Sequence, residues 1–322
     1  MNALWLPLAA LAYAIFAVTG VVDKLVVTNK LKNPLVMSFW VCLFGVPSAL
    51  ILLVGLLPFP WAEAFRFTMP SLDGLALITA AGMTLQLALL LSYMALWRGE
   101  ATRVVPTIGA ATPVFALIFA YLVLGERLPP LSYAALALLL GGAVVISIRP
   151  GQTVGWAFWL ALGSGAAAAF ETVLIKVVYG FNHFISSFAL LGLGNIVFGV
   201  VLVLLVPAVR LEVFHALHPR HVAKKRQVKR LVGTGGFLVF ANNIIGSAGV
   251  IVLNLALALG SVSLVNALKG LQYVGVFLIA LVLSRLYPRL LREELTGHTM
   301  RRKLLAIGMI GAGICVLVVA SK

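Results

Sequence analysis

Lys269 stands nine residues into an apolar stretch spanning 261–284, with Gln272 three and Tyr273 four positions further on. On a helix these three side chains share a face. An ammonium flanked by an amide and a phenol can capture an anionic group of a substrate. Glu171 lies about two-thirds along another apolar stretch, 154–178, and Lys176 nearer its end. A carboxylate at bilayer depth is costly, which makes Glu171 a candidate counter-ion or proton carrier. The structural alternative is a Glu171–Lys269 ion pair that locks two helices together and touches no substrate, or a local pairing of Glu171. Gln86 and Tyr93 lie in the stretch 74–97, and Asn242 and Asn243 in the stretch 236–259. Such groups line a wet cavity or bond across helices as plain packing glue, and either role satisfies them.

Other candidates are weaker. Glu212, His215, His218 and His221 recur every third residue, and three imidazoles with a carboxylate are a zinc or nickel donor set. Pro219 interrupts helical spacing there, and Lys224, Lys225 and Arg226 repel a cation. A basic loop is the better reading, and no metal site is expected. Glu126, beside Gly125, is expected to cap the following helix or to hold its loop through Arg127. Ser164 sits between Gly163 and Gly165 as a close-packing residue. No Ser/His pair or paired acidic motif stands at depth, so an intramembrane enzyme is not expected.

The elements that position these groups follow from composition. Hydrophobic residues make up 62% of the 322-residue chain and charged residues 10%, with a mean hydropathy of +1.11. That is far from a soluble domain. A bilayer crossing takes about 20 apolar residues. Ten stretches qualify: 4–22, 34–57, 74–97, 101–124, 131–148, 154–178, 184–209, 236–259, 261–284 and 303–320. None alternates as a strand does, and helices satisfy their own backbone groups in lipid. The expectation is an all-α membrane protein with ten transmembrane helices. The net charge of +15 comes from the loops, where it serves topology and lipid headgroups and not nucleic acid. Cys42 and Cys315 fall inside spans as small buried hydrophobes. Trp5, Trp61, Trp97, Trp156 and Trp159 lie near span ends as interfacial anchors, and Trp40 lies deeper, as core. Pro106 and Pro113 permit a bend in the fourth span. Gly141, Gly142, Gly246, Gly249, Gly308, Gly311 and Gly313 are read as close helix contacts.

The chain also resembles itself. Residues 95–123 lie on 256–284 at a constant offset, which sets Leu96 on Leu257, Gly99 on Gly260, Gly109 on Gly270 and Leu117 on Leu278. Tyr13 to Lys24 resembles Gly165 to Lys176, and Asn33 to Phe39 resembles Asn182 to Phe188. The fifth and tenth spans align with Gly141 on Gly311. Two repeats follow, 1–150 and 151–322, each with five spans. An odd number of crossings makes the copies an inverted pair, with a site between them. Of the 24 Lys and Arg, nineteen fall in the loops after odd-numbered spans and four on the other side, with Lys269 inside a span. Positive charge favours the cytoplasm, which puts both termini outside.

The stretch Ala101-Thr-Arg-Val-Val-Pro106, followed by Pro113 and then Leu124-Gly-Glu-Arg-Leu128, resembles the helix-four region of the drug/metabolite transporter superfamily, specifically of proteins with two EamA domains. The counterpart Gly-Glu-Arg is missing from the second half, where Glu294-Leu-Thr296 follows an insertion. The resemblance implies a carrier of small metabolites or drugs, often an exporter, working by alternating access in the cell membrane. It also implies cytoplasmic termini, against the charge count. A small-molecule substrate, a lipid bilayer, no cofactor beyond possible proton coupling through Glu171, and a monomer or homodimer complete the expectation. A lipid-handling flippase or a membrane scaffold is the alternative use of the same architecture.

Overall fold

The structure, a computed structural model, describes residues 4–27, 34–42, 66–98, 101–147, 155–217, 234–286 and 297–320. Among them every regular element is a helix: α1 (Trp5–Val27), α2 (Pro34–Cys42), α3 (Leu72–Arg98), α4 (Ala101–Leu124), α5 (Pro130–Ser147) and α6 (Trp156–Phe181), then α7 (Phe184–Leu205), α8 (Pro207–Leu217), α9 (Thr234–Leu259), α10 (Val262–Ala267), α11 (Lys269–Leu286) and α12 (Gly297–Ala320). Among the described residues, α3, α6, α7 and the Thr107–Leu124 part of α4 are long and apolar enough to cross a membrane. Shorter apolar stretches lie at Trp5–Val21, Pro130–Gly142, Ile244–Leu259 and Leu304–Val316.

Two expected spans are not single helices. The stretch 184–209 ends as a helix at Leu205, and α8 begins at Pro207. A proline clashes with a helical residue before it, and its fixed φ suits a first helical position. Val206 is accordingly extended, with φ −112° and ψ 105°. Arg210 Nη2 and Nε then donate to Leu204 O at 2.6 Å and Val203 O at 3.3 Å, which satisfies carbonyls at the end of α7. The stretch 261–284 breaks at Leu268 into α10 and α11.

The helices form two compact units, and neither is a half of the sequence. One comprises residues 1–31, 126–152 and 223–322, and the other 32–125 and 153–222. In the first unit α1 packs on α9 and α11, and α5 pairs with α12. The second unit is built on α3, which packs on α6 and α7, while α4 packs on α6.

Small residues set how closely these helices approach. At the α3–α7 crossing Gly82 and Gly194 meet backbone to backbone: a Cβ at Gly194 would stand 2.7 Å from Gly82 Cα and from Met83 N, and closer still to Thr79 O. Gly142 and Gly313 bring α5 and α12 together in the same way, against Ala306 O and Ala135 O. Gly249 meets the Phe16 ring and Gly141 meets Met309, as the sequence suggests. Among the described residues Gly308 and Gly311 meet nothing within 4 Å, so the close-contact reading is corrected for them.

Trp5 is corrected too. It is fully buried, with Gly260 lying against its ring, and is a packing residue of the first unit. Trp97, Trp156 and Trp159 are exposed, as anchors are. Trp61 lies outside the described residues, as does the Trp40 side chain. Cys42 is buried and Cys315 exposed, and both are free thiols, so the buried reading fails for Cys315. α4 runs unbroken through Pro106 and Pro113.

Gly125 ends α4 with φ +62°, a left-handed conformation that side chains resist. A Cβ there would meet open space, so the demand is on the backbone alone. Gly125→Ala should therefore cost about 1 kcal/mol in thermal unfolding of the purified protein, and Gly125→Asn less. Equal stability of the alanine variant would remove that requirement.

Candidate functional site

In the first unit the polar groups converge on one turn of α1. Asn242 Nδ2, from α9, donates to Thr19 O at 3.4 Å, and Gln272 Nε2, from α11, donates to Phe16 O at 3.4 Å. Thr19 Oγ1 donates to the same Phe16 O at 3.3 Å. Gly20 leaves room on this turn, with Val276 and Gln272 the nearest side chains to a Cβ placed there. The structure thus brings together two of the expected site residues through α1 carbonyls. Thr19 and Gly20 belong to the cluster and were not singled out by sequence. Their signal was present in the repeat, since Tyr13 to Lys24 is one of its matched pieces.

Lys269 opens α11 at the break, half-buried, three residues before Gln272. The residue before it, Leu268, is buried and sends its N–H back to Leu264 O at 3.3 Å, and Leu271 N–H donates to Leu268 O at 2.8 Å. Leu268 keeps a right-handed helical conformation (φ −65°, ψ −8°), so α10 passes into α11 through a one-residue irregularity just ahead of the ammonium. Lys269 is a terminal residue of a helix and not, as its position in the stretch suggests, a mid-helix one. The side chains of Tyr273 and Asn243 lie outside the described residues. Asn254 and Asn266 bond within their own helices, to Val250 O and Val262 O.

In the second unit Glu171 is buried on α6, the helix that packs on both α3 and α4. Its neighbour Thr172 donates to Ala169 O. Ser164 Oγ donates to Ala88 O at 2.8 Å, which ties α6 to α3 and matches its close-packing role. Gln86, on α3, is 2% exposed, and its Oε1 has no hydrogen-bond partner among the described residues. Asn195 Oδ1, on α7 beside the Gly82–Gly194 crossing, has none either. Unpaired buried acceptors are rare, so this seam offers two amide oxygens to a donor. Tyr93 is half-buried on the same helix α3.

Glu126 reaches beyond its own loop. Its Oε2 accepts from Ser263 Oγ at 2.7 Å and from Ser263 N–H at 3.3 Å, at the start of α10. Among the described residues no three His, Cys, Asp or Glu side chains gather as metal ligands. Glu212 and His215 have side chains outside the described residues, and His218 and His221 lie wholly outside them.

Among curated proteins none matches the chain. Among solved structures 26 chains match. One of them, titled only as the crystal structure of a protein, superposes over 98% of this chain and 96% of its own with a TM-score of 0.61 at 16% identity. At that identity the likeness speaks for the helical fold alone. Residues 3–148 match the EamA-like transporter family, which is consistent with the drug/metabolite transporter type that the helix-four motif resembles.

Proposed function

We propose that the protein is a secondary carrier that moves a small metabolite or drug-like molecule across the cytoplasmic membrane by alternating access, as an exporter. The observation that carries this reading is the family match over residues 3–148. Two repeats, 1–150 and 151–322, form the carrier as an inverted pair of five spans each. The packing supports the pairing: α1 lies on α9, α10 and α11 in one unit as α6 lies on α3 and α4 in the other. Those are the helices that the repeat offsets make equivalent.

A broken helix with a lysine at the break is the kind of element on which carriers build binding sites. Lys269 holds an anionic group of the substrate, and Gln272, Tyr273, Asn242 and Asn243 are further substrate contacts. Gln86 and Tyr93 supply further polar contacts, and Glu171 is the counter-ion or proton carrier. Purified protein in liposomes, screened for uptake of labelled metabolites with and without an imposed pH gradient, tests the reading. Saturable uptake that the gradient drives is the expected result. Uptake that persists unchanged when the gradient is collapsed removes the proton-coupling role of Glu171. If no metabolite moves and a labelled lipid changes leaflet instead, the carrier reading gives way to the flippase.

A further inference from the structure

Glu126 follows the left-handed Gly125 in the linker between α4 and α5, yet its partner is 137 positions away in sequence. Ser263 is the second residue of α10, a helix of six residues in which every residue is buried. A helix so short cannot hold itself, and its first N–H groups have no partner within it. Two of them are satisfied from outside the helix. Ser261 Oγ accepts from Leu264 N–H at 3.2 Å, and Glu126 accepts from Ser263 N–H and Oγ. A carboxylate is the favoured partner at this end, because the helix dipole is positive there and charge-assisted hydrogen bonds are the strong ones.

The other end of α10 is the turn at Leu268, after which Lys269 opens α11. Asn266 braces the interior of α10 with its bond to Val262 O at 3.0 Å. The six positions from Ser263 to Lys269 span roughly 9 Å along the helix axis. A braced rod clamped at one end delivers its far end to a defined place.

We infer that Glu126 is a positioning residue. By holding the start of α10 it sets the α10–α11 junction at Leu268 and, through that junction, where Lys269 stands. The conformational part is independent of any substrate. Only its consequence for transport rests on the proposed role of Lys269.

The test uses the full chain in detergent micelles, with hydrogen exchange followed by mass spectrometry and, in a Cys42→Ala, Cys315→Ala background that leaves one thiol to label, a trifluoromethyl tag on Lys269→Cys. In Glu126→Ala, exchange over 262–268 should rise about tenfold while α12 keeps its protection. Glu126→Gln, which retains an acceptor oxygen, should restore most of it. Ser263→Ala should mimic Glu126→Ala, and the double variant should exchange no faster than Glu126→Ala alone. The fluorine resonance at position 269 should shift in Glu126→Ala and return in Glu126→Gln. Unchanged exchange in α10, acceleration that extends equally through α12, additive effects, or an unmoved resonance overturns the inference. If Lys269→Ala keeps full uptake while the exchange and fluorine results hold, the transport role falls and the clamp stands. If uptake collapses in Lys269→Ala but the resonance ignores Glu126, the clamp falls alone.

Discussion

Gly194→Ala should lower the unfolding stability of the purified protein by about 3 kcal/mol, one of the two largest losses expected here. The added Cβ would face Thr79 O, Gly82 Cα and Met83 N, which are all backbone atoms of α3. A crowded side chain can swing away; a helix backbone can yield only if α3 and α7 move apart. Separation would also forfeit the dispersion contacts that hold apolar helices together in lipid. Gly82→Ala should behave alike, since its Cβ would meet Gly194 Cα at 2.9 Å and, closer, Leu191 O. Combining the two should cost less than the sum, because helices already parted by one methyl accommodate the second. Gly308→Ala and Gly311→Ala provide the opposite sign: with nothing within 4 Å, alanine gains helix propensity of up to about 1 kcal/mol. Thermal or denaturant unfolding in detergent reads all four. A Gly194→Ala variant as stable as the parent would show that the crossing is looser than its geometry.

Lys269→Ala should reduce uptake efficiency about a hundredfold with little change in unfolding temperature. Truncating one partner of a desolvated charge contact costs about 2–5 kcal/mol. When that partner is the substrate, the loss appears in transport and not in folding. The structural alternative predicts the reverse. If Lys269 locks the protein through an ion pair, removing it strands a buried charge, which costs about 3–5 kcal/mol of stability. Lys269→Arg keeps the charge but spreads it over a planar fork, and should recover only part of the uptake. Full uptake in Lys269→Ala, measured in liposomes, rules out substrate capture by this residue.

Much of the fold is legible in the apolar stretches, because lipid permits few alternatives to the helix. The α7–α8 break has a signal in Pro207, which the expected span 184–209 runs through. The break at Leu268 has none. The run from Ser261 to Lys269 contains neither proline nor glycine, and the carboxylate that bonds the start of α10 comes from the α4–α5 linker, far away in sequence. Glu126 looked like a local cap for the same reason: position along the chain suggests α5, and only packing reveals Ser263. Trp5 fits the interfacial-anchor rule by place, yet Gly260 opens a slot that takes its ring. Of the candidate site, Asn242 and Gln272 were visible as polar groups at depth. That both would donate to neighbouring carbonyls of α1 required the helix pairing, and Thr19 offers no charge to attract notice.

Compact units that interleave the two halves of the chain impose an order on biogenesis. The helices that α1 packs upon, α9 to α11, leave the ribosome about 200 residues after it, a delay of roughly 10–40 s at ordinary elongation rates. Through that interval the first helix resides in the bilayer without its eventual companions. A nascent chain halted at residue 150 would hold membrane-inserted segments but no finished half, so maturation completes only when the last-made spans arrive.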